Sequence, residues 1–308
     1  MRVVSYIILF SILFLSLKTA AQQESDYSAV ESQKADSLLS YAESSDVNPD
    51  EMIRIGKSVI SDFTNIGTAY KARAYNTIAY GYFKKNRYAT AIENLNKAAK
   101  VLALVSDSVE LARTFNRIGV TYNRFGHYNR AIEYLQKALP IRKNIGNSLH
   151  VASTLNNLGV SQRATNQHDA ALNSFSESLA LYDDNNNIRG KSLSLNNIGL
   201  VLLDKMELDS ALNFFIESVN LKKEINDTSG AAIGLYNIAT VYKKLNRTKK
   251  AIKYFNDAIE IQKSTQSLFG LASSYSSLAE LYLKNNLPHK ALSYIEKSQK
   301  LADINEST

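Results

Sequence analysis

Cysteine is absent from this chain of 308 residues, and so is tryptophan. Without a thiol the chain forms neither a disulfide framework nor a thiolate metal site, and it offers no N-terminal cysteine for a lipid anchor. Any fold that the chain adopts is therefore held together by packing alone.

Signatures of catalysis and of cofactor binding are also scarce. The four histidines, His127, His150, His168 and His289, lack the i, i+4 spacing and the acidic neighbours of a metal site. No glycine-rich phosphate loop, nucleophile elbow or recurring carboxylate pair occurs. We expect a protein that is not an enzyme and that uses no metal or cofactor. A catalytic site assembled from distant parts of the chain is the alternative.

Long apolar runs are missing except at the N-terminus. Residues 3–17 form an apolar run between two basic residues, and Thr19 and Ala21 have the small side chains of a signal peptidase site. This run is short for a membrane span of about 20 residues. We expect residues 1–21 to be a signal peptide and the protein to be exported, either periplasmic or secreted.

What the sequence does contain is one pattern that occurs six times with a period of 40 residues. A small residue marks each copy, and an alanine follows the marker twelve positions later. The markers are Ala79, Gly119, Gly159, Gly199, Ala239 and Ala279, and the alanines are Ala91, Ala131, Ala171, Ala211, Ala251 and Ala291. No insertion interrupts the series.

Each copy is predicted to be a pair of amphipathic helices. Apolar residues recur at i, i+3, i+4 and i+7 around the marker and again around the later alanine, which is the spacing of a helix with one buried face. An Asn or Gly, suited to the left-handed conformation that ends a helix, separates the two helices in five copies. Met206 takes that place in the fourth copy.

The residues of each copy resemble the tetratricopeptide repeat. The first copy carries the motif as Tyr75, Ile78, Ala79 and Tyr82, and the fifth as Leu235, Ile238, Ala239, Tyr242, Ala251 and Phe255. The resemblance extends from residue 72 to about residue 304. The period of 40, against the usual length of about 34, is similar to the longer repeats of kinesin light chains and of peptide-sensing bacterial regulators. Gln162 and Leu202 depart from the motif because they replace its tyrosine.

This resemblance implies an all-α fold, a right-handed α-solenoid of helix-turn-helix repeats in which each repeat contacts its neighbours. We expect six repeats over residues 71–308. Residues 22–70 fit one further, degenerate helix pair in the same register, with Glu51 at the position of the alanine. We predict that this pair caps the N-terminal end.

Charge is unevenly distributed along the chain. Residues 22–70 hold nine acidic and three basic residues, whereas residues 71–308 are strongly basic. The densest basic cluster, from Lys243 to Lys253, lies at the turn of the fifth copy. We interpret this cluster as a solvated edge, and we expect no nucleic-acid partner because no nucleic-acid motif accompanies the charge.

Asparagines recur on one flank of the first helix of each copy. At roughly 100 degrees per residue, the positions three and two before the marker share that flank. The family resemblance implies that it lines a concave groove facing an extended peptide, and an Asn amide offers a donor and an acceptor to a peptide backbone. The predicted contacts are Asn116, Asn156, Asn157, Asn196, Asn197 and Asn237.

Further polar residues add a positive zone to the predicted groove, and a structural alternative exists for the asparagines. The zone consists of Arg113, Arg117, Asn123, Arg124 and Arg163. It is suited to an acidic side chain or to a C-terminal carboxylate. In the alternative, the asparagines bridge neighbouring helices and satisfy polar groups between repeats.

These observations predict an exported, non-catalytic scaffold that binds a peptide or protein segment. The second hypothesis is an extracytoplasmic sensor module with a membrane signalling partner, because exported arrays of this kind resemble the sensor halves of such systems. No polar helix follows the sixth copy. Its last helix therefore either caps itself, binds a partner or a second copy of the chain, or continues into a longer protein.

Overall fold

The computed structural model describes residues 29–44, 46–63, 66–105 and 107–306, and within these ranges the chain forms fourteen helices and no strand. The first helix, α1, covers residues 29–42. The others are α2 (Pro49–Asp62), α3 (Thr68–Lys84), α4 (Tyr88–Leu104), α5 (Ser108–Arg124), α6 (Tyr128–Ile145), α7 (Ser148–Ala164), α8 (His168–Asp184), α9 (Ile188–Asp204), α10 (Leu208–Glu224), α11 (Thr228–Lys244), α12 (Thr248–Ser264), α13 (Leu268–Lys284) and α14 (Pro288–Glu306). The predicted signal peptide lies outside the described residues.

The six predicted repeats correspond to the pairs from α3–α4 to α13–α14, which confirms the all-α solenoid class of helix-turn-helix repeats. We call α3, α5, α7, α9, α11 and α13 the first helices. Helices α1 and α2 lie where the degenerate pair is predicted. Their role as a cap stays a prediction. None of the helices in the described ranges has the length and the apolar content of a membrane span.

The turns inside the pairs follow the prediction from sequence. The residue between the two helices has a positive φ, from 55° at Asn286 to 82° at Gly126. The next backbone N–H then reaches back into the first helix, as in the 2.9 Å bond from Arg87 to the Tyr82 carbonyl. This is the hydrogen bond that ends many helices at a left-handed residue. Met206 adopts the same conformation, with φ of 62°.

The chain divides into two compact units, Met1–Ile145 and Gly146–Thr308. In the second unit, Phe175, Phe215 and Phe255 are fully buried. The small markers make room for these rings, since a Cβ on Gly159 or Gly199 would lie 2.7 Å from a ring carbon of Phe175 or Phe215. In the first unit, Gly119 faces Leu135 in the same way.

Gln162 and Leu202 replace the tyrosine of the motif. The residue twelve positions later in the chain is replaced as well in both cases. In three repeats the tyrosine of the motif stacks on a second tyrosine, as Tyr242 does on Tyr254 with ring centroids 5.4 Å apart. Gln162 instead accepts a 2.7 Å hydrogen bond from Ser174 Oγ. Leu202 belongs to the same apolar cluster as Phe214.

The outer face of α14 is partly apolar and exposed. Ile295 is 41 % exposed, whereas Phe255, at the equivalent position of the preceding repeat, is fully buried. Self-association through this repeat stays a prediction.

Candidate functional site

The predicted asparagine contacts divide into two groups, and the first group bridges helices. Asn197 Nδ2 donates to Asn156 Oδ1 over 2.9 Å, and Asn237 Nδ2 donates to Asn196 Oδ1 over 3.0 Å. All four side chains are buried. The two bonds link α7 to α9 and α9 to α11, which is the structural alternative. We therefore leave these four residues out of the candidate site.

The asparagines bond to each other because neighbouring first helices lie side by side at this flank. The flank that carries the asparagines faces the neighbouring first helix, and polar groups buried there need partners. The same register joins Tyr236 of α11 to Ser277 of α13, whose hydroxyl oxygens are 3.2 Å apart. Helical periodicity placed these side chains on one flank correctly, but it does not distinguish a flank that faces a groove from one that faces another helix.

Two of the predicted arginines, Arg113 and Arg117, line one cleft of about 460 Å³ in the first unit. The cleft lies between the first helices α3 and α5, and we call it the α3–α5 cleft. Its other lining residues are Glu43, Ala69, Tyr70, Ala72, Arg73, Asn76, Leu102 and Glu110.

Two of the three arginines of the α3–α5 cleft form ion pairs. Arg73 bonds to Asp36 over 2.6 Å and to Glu43 over 2.7 Å, and the bond to Glu43 is the main cause that raises its pKa. Arg113 pairs with Glu110 over 2.9 Å. Arg117 has no ion-pair partner within 4 Å among the described residues.

The surroundings of Arg117 act on its charge. Its side chain is exposed to solvent and lines the cleft together with Arg113 and Glu110. Desolvation lowers the pKa of Arg117 and the positive charge of Arg113 lowers it further, while the charges of Glu110 and Glu43 oppose the shift. A carboxylate that enters the cleft would meet a guanidinium without an ion-pair partner, which is the setting for a charge-assisted hydrogen bond.

The remaining predicted contacts do not form one site. Asn116, Asn123 and Asn157 are half-buried, and Arg124 is exposed at the end of α5. These four stay predictions.

Arg163, the one member of the predicted positive zone in the second unit, has its charge largely neutralised by Asp204. Its Nε and Nη2 bond to the two carboxylate oxygens of Asp204 over 2.6 and 3.2 Å.

Sequence reasoning missed Tyr70, Arg73 and Glu110. The repeat register contains a signal for them. Arg73 and Arg113 lie 40 residues apart, as do Tyr70 and Glu110, so each pair occupies one position in two successive repeats.

Two protein-family models match the chain. A family model described as tetratricopeptide repeat matches residues 70–144, 110–184 and 191–264, and a model described as PPR repeat matches residues 273–301. Together the first three matches cover more than half of the chain. No curated protein matches the chain in sequence.

Solved structures share the fold at low sequence identity. BtubC (BKLC) from P. vanneervenii is 16 % identical over 75 % of this chain and 92 % of its own, with a TM-score of 0.60. Aspartyl phosphate phosphatase F from Bacillus subtilis is 16 % identical over 82 % of this chain and 74 % of its own, with a TM-score of 0.64. A Rap protein in complex with competence and sporulation factor is 18 % identical over 81 % and 70 %, with a TM-score of 0.64. Identities this low establish the fold and not the activity.

Proposed function

Because the chain belongs to the tetratricopeptide repeat family, we propose that it is a non-catalytic scaffold that binds a peptide or protein segment in the α3–α5 cleft. Proteins of this architecture present a surface built from several repeats, and that surface is suited to an extended partner. Among the similar structures, the Rap protein is bound to competence and sporulation factor. That complex supports a binding role for the fold and does not identify the ligand of this chain.

The observation that carries the proposal is the unpaired Arg117. The cleft contains three arginines, and carboxylates of the protein neutralise Arg73 and Arg113. Counted together, Asp36, Glu43 and Glu110 balance the three arginines, but Arg117 has no carboxylate of its own among the described residues. Its planar guanidinium is therefore available to bind the carboxylate of a ligand through two parallel hydrogen bonds. The ligand is thus a segment with an acidic side chain or a free C-terminal carboxylate. Tyr70 adds an aromatic surface at the cleft for a neighbouring side chain.

The second part of the proposal is export to the periplasm or the extracellular medium. It is supported by the basic, apolar and small-residue segments that follow one another in residues 1–21. The binding partner would then be a periplasmic, secreted or cell-surface protein.

Substitution of Arg117 tests the binding site. Residues 22–308 would be screened against a random octapeptide library with free C-terminal carboxylates, in parallel with the same library amidated. For peptides that bind, Arg117→Ala should weaken the affinity by roughly 10- to 100-fold, because it removes a charge-assisted hydrogen bond. The affinity would be measured by fluorescence polarisation.

Arg130→Ala is the matched control. Arg130 is an exposed arginine of the next helix, α6, and it pairs with Glu133 on the surface. This variant should bind as the unmodified protein does. Equal losses in the two variants would mean that overall charge and not the cleft holds the ligand. An unchanged affinity in Arg117→Ala would show that the binding site lies elsewhere.

A further inference from the structure

A second cleft, of about 540 Å³, lies in the second unit at the ends of three first helices. We call it the turn-edge cleft. Residues from the ends of α7, α9 and α11, from two turns and from the start of α8 line it. They are Arg163, Ala164, Asn166, His168, Leu203, Asp204, Met206 and Lys244. It belongs to a different unit from the α3–α5 cleft, and its role does not depend on the proposed function.

One cation of the turn-edge cleft has no carboxylate partner. Arg163 is paired with Asp204. Nearby, Lys205 is shared between Asp169 and Glu207, at 3.0 and 3.6 Å. Lys244 Nζ, in contrast, has only the thioether sulfur of Met206 at 3.8 Å as a partner among the described residues. A thioether is a weak acceptor, so the positive charge of Lys244 is not compensated.

A buried nitrogen in the same cleft also has no partner. His168 Nδ1 is shielded from solvent and bonds to no protein group in the described part of the chain. Buried polar atoms without a partner are rare in folded proteins, and each of them calls for an explanation. His168 is the first residue of α8 and lines the cleft together with Lys244.

Met206 is the third unusual feature. It adopts a φ of 62°, although a side chain with a Cβ is disfavoured in this region. The corresponding turns of the other five repeats have Asn or Gly at this position. The Met206 side chain is 58 % exposed and, with Leu203, forms an apolar wall beside the polar groups. Strained residues that persist in a fold are often found at binding sites.

We propose that the turn-edge cleft binds a small oxyanion, a phosphate or a carboxylate. Lys244 supplies the charge. Arg163 uses Nε and Nη2 for Asp204, which leaves the two N–H groups of Nη1 for the ligand. The ring of His168 lines the cleft beside these groups. With Asp204 counted, the cleft carries one net positive charge, which matches a singly charged oxyanion.

The cleft contains side chains that report on it directly. Residues 22–308 include two methionines, Met52 and Met206, and four histidines. The Met206 methyl and the His168 imidazole lie at the proposed site. Met52 is buried in α2, and His289 lies in α14. NMR spectra of protein labelled at the methionine methyl groups and at the histidine rings therefore separate the site from the rest of the molecule.

The experiment is a titration with inorganic phosphate and, separately, with acetate, at ionic strength held constant with sodium chloride. Saturable shifts of the Met206 and His168 signals, with Met52 and His289 unchanged, are the expected result. Saturation by phosphate alone or by acetate alone identifies the class of oxyanion. Lys244→Ala should weaken the binding at least tenfold.

Lys249→Ala is the matched control, because Lys249 is an exposed lysine at the start of α12. It should leave the titration unchanged. Both variants would be checked for helical content by circular dichroism. The proposal is wrong if neither ion saturates the site by about 10 mM, if His289 shifts as much as His168, or if Lys244→Ala titrates like the unmodified protein.

Discussion

Lys222 of α10 shows how one buried charge acts on stability. Its side chain is 6 % exposed, and no hydrogen-bond or ion-pair partner lies around it in the described ranges. Desolvation lowers its pKa below the ordinary 10.5, and the charge of Asp227 opposes that shift in part. At the equivalent position of the next repeat, Gln262 accepts a 2.8 Å hydrogen bond from Ser274. Gly234 stands where Ser274 does, so Lys222 has no such partner.

Lys222→Met should therefore stabilise the protein at neutral pH, because an apolar side chain of similar shape replaces a desolvated charge that Asp227 compensates only in part. We expect a gain of about 1 kcal/mol, or roughly 2–4 °C in melting temperature. Circular dichroism melts measure it. Lys223→Met is the control, since Lys223 is exposed and its loss should change little. A lower melting temperature for Lys222→Met would contradict the argument.

The same lysine makes stability depend on pH. Between the lowered pKa of the folded state and 10.5, the unfolded chain holds a proton that the folded protein has released. The unfolding free energy therefore rises with pH across this window. The melting temperatures of the unmodified protein and of Lys222→Met should converge as the pH approaches 10.5. A constant difference up to that pH would mean that the lysine is neutralised in another way.

The buried asparagine pair Asn156–Asn197 offers a second test at the residue scale. Removal of either amide leaves the other without its partner, at a cost of about 1–3 kcal/mol. Urea unfolding of Asn156→Ala, Asn197→Ala and the double variant should show that the second substitution costs much less than the first. Asn213→Ala, an exposed position of α10, is the control. Strict additivity would show that the 2.9 Å contact contributes nothing.

At the scale of single elements, the helices and their turns follow from the sequence because their causes are local. Apolar spacing fixes each buried face, and Asn or Gly fixes each turn. The tyrosine replacements at Gln162 and Leu202 look like defects when each is considered alone. Twelve residues later, Ser174 bonds to Gln162, and Phe214 packs against the apolar cluster that contains Leu202. The compensating residues are visible in the sequence once the two positions are compared as a pair.

In the turn that contains Met206, as in the turn of Gln266, a residue other than Asn or Gly adopts a positive φ. Met206→Asn would place there the residue that four of the other five turns have at a positive φ. Asn tolerates this conformation better than Met, so we expect the melting temperature to rise, with a gain of about 0.5–1 kcal/mol. Calorimetry measures the change. Asn246→Met should have the opposite effect in the fifth repeat. Stabilisation in both variants would exclude backbone strain as the cause.

At the scale of the whole molecule, the candidate cleft was only partly predictable. Arg113 and Arg117 were expected to form a positive zone from their place on α5. The sequence did not predict the balance of charge in the cleft. That balance depends on the bonds of Arg73 to Glu43 and Asp36, which lie 30 and 37 residues before it in the chain. Contacts of this range follow from the packing of helix pairs and not from local pattern. For the same reason the sequence pattern places the asparagines on one flank of their helices but does not reveal that four of them bond to each other across neighbouring helices.

Export makes a prediction for the whole chain. When the complete sequence is produced in a bacterium with its own secretion machinery, the mature protein should begin at Gln22, because Thr19 and Ala21 precede the expected cleavage site. Intact-mass analysis of the periplasmic and medium fractions measures this. Substitution of Ala21 by Glu should block the cleavage. An unprocessed chain in the cytoplasm would contradict the export proposal.

The bridges between α7, α9 and α11 have a consequence for the length of the array. Asn156 and Asn196 hold one position in successive repeats, Asn197 and Asn237 hold another, and the bonds Asn197–Asn156 and Asn237–Asn196 are alike in atoms and length. If the 40 residues of the fourth repeat were deleted, Asn237 would meet Asn156 across the same kind of bond. The interfaces between α7, α9 and α11 are therefore interchangeable. The number of repeats can change by whole units at this point, and no new type of contact is required.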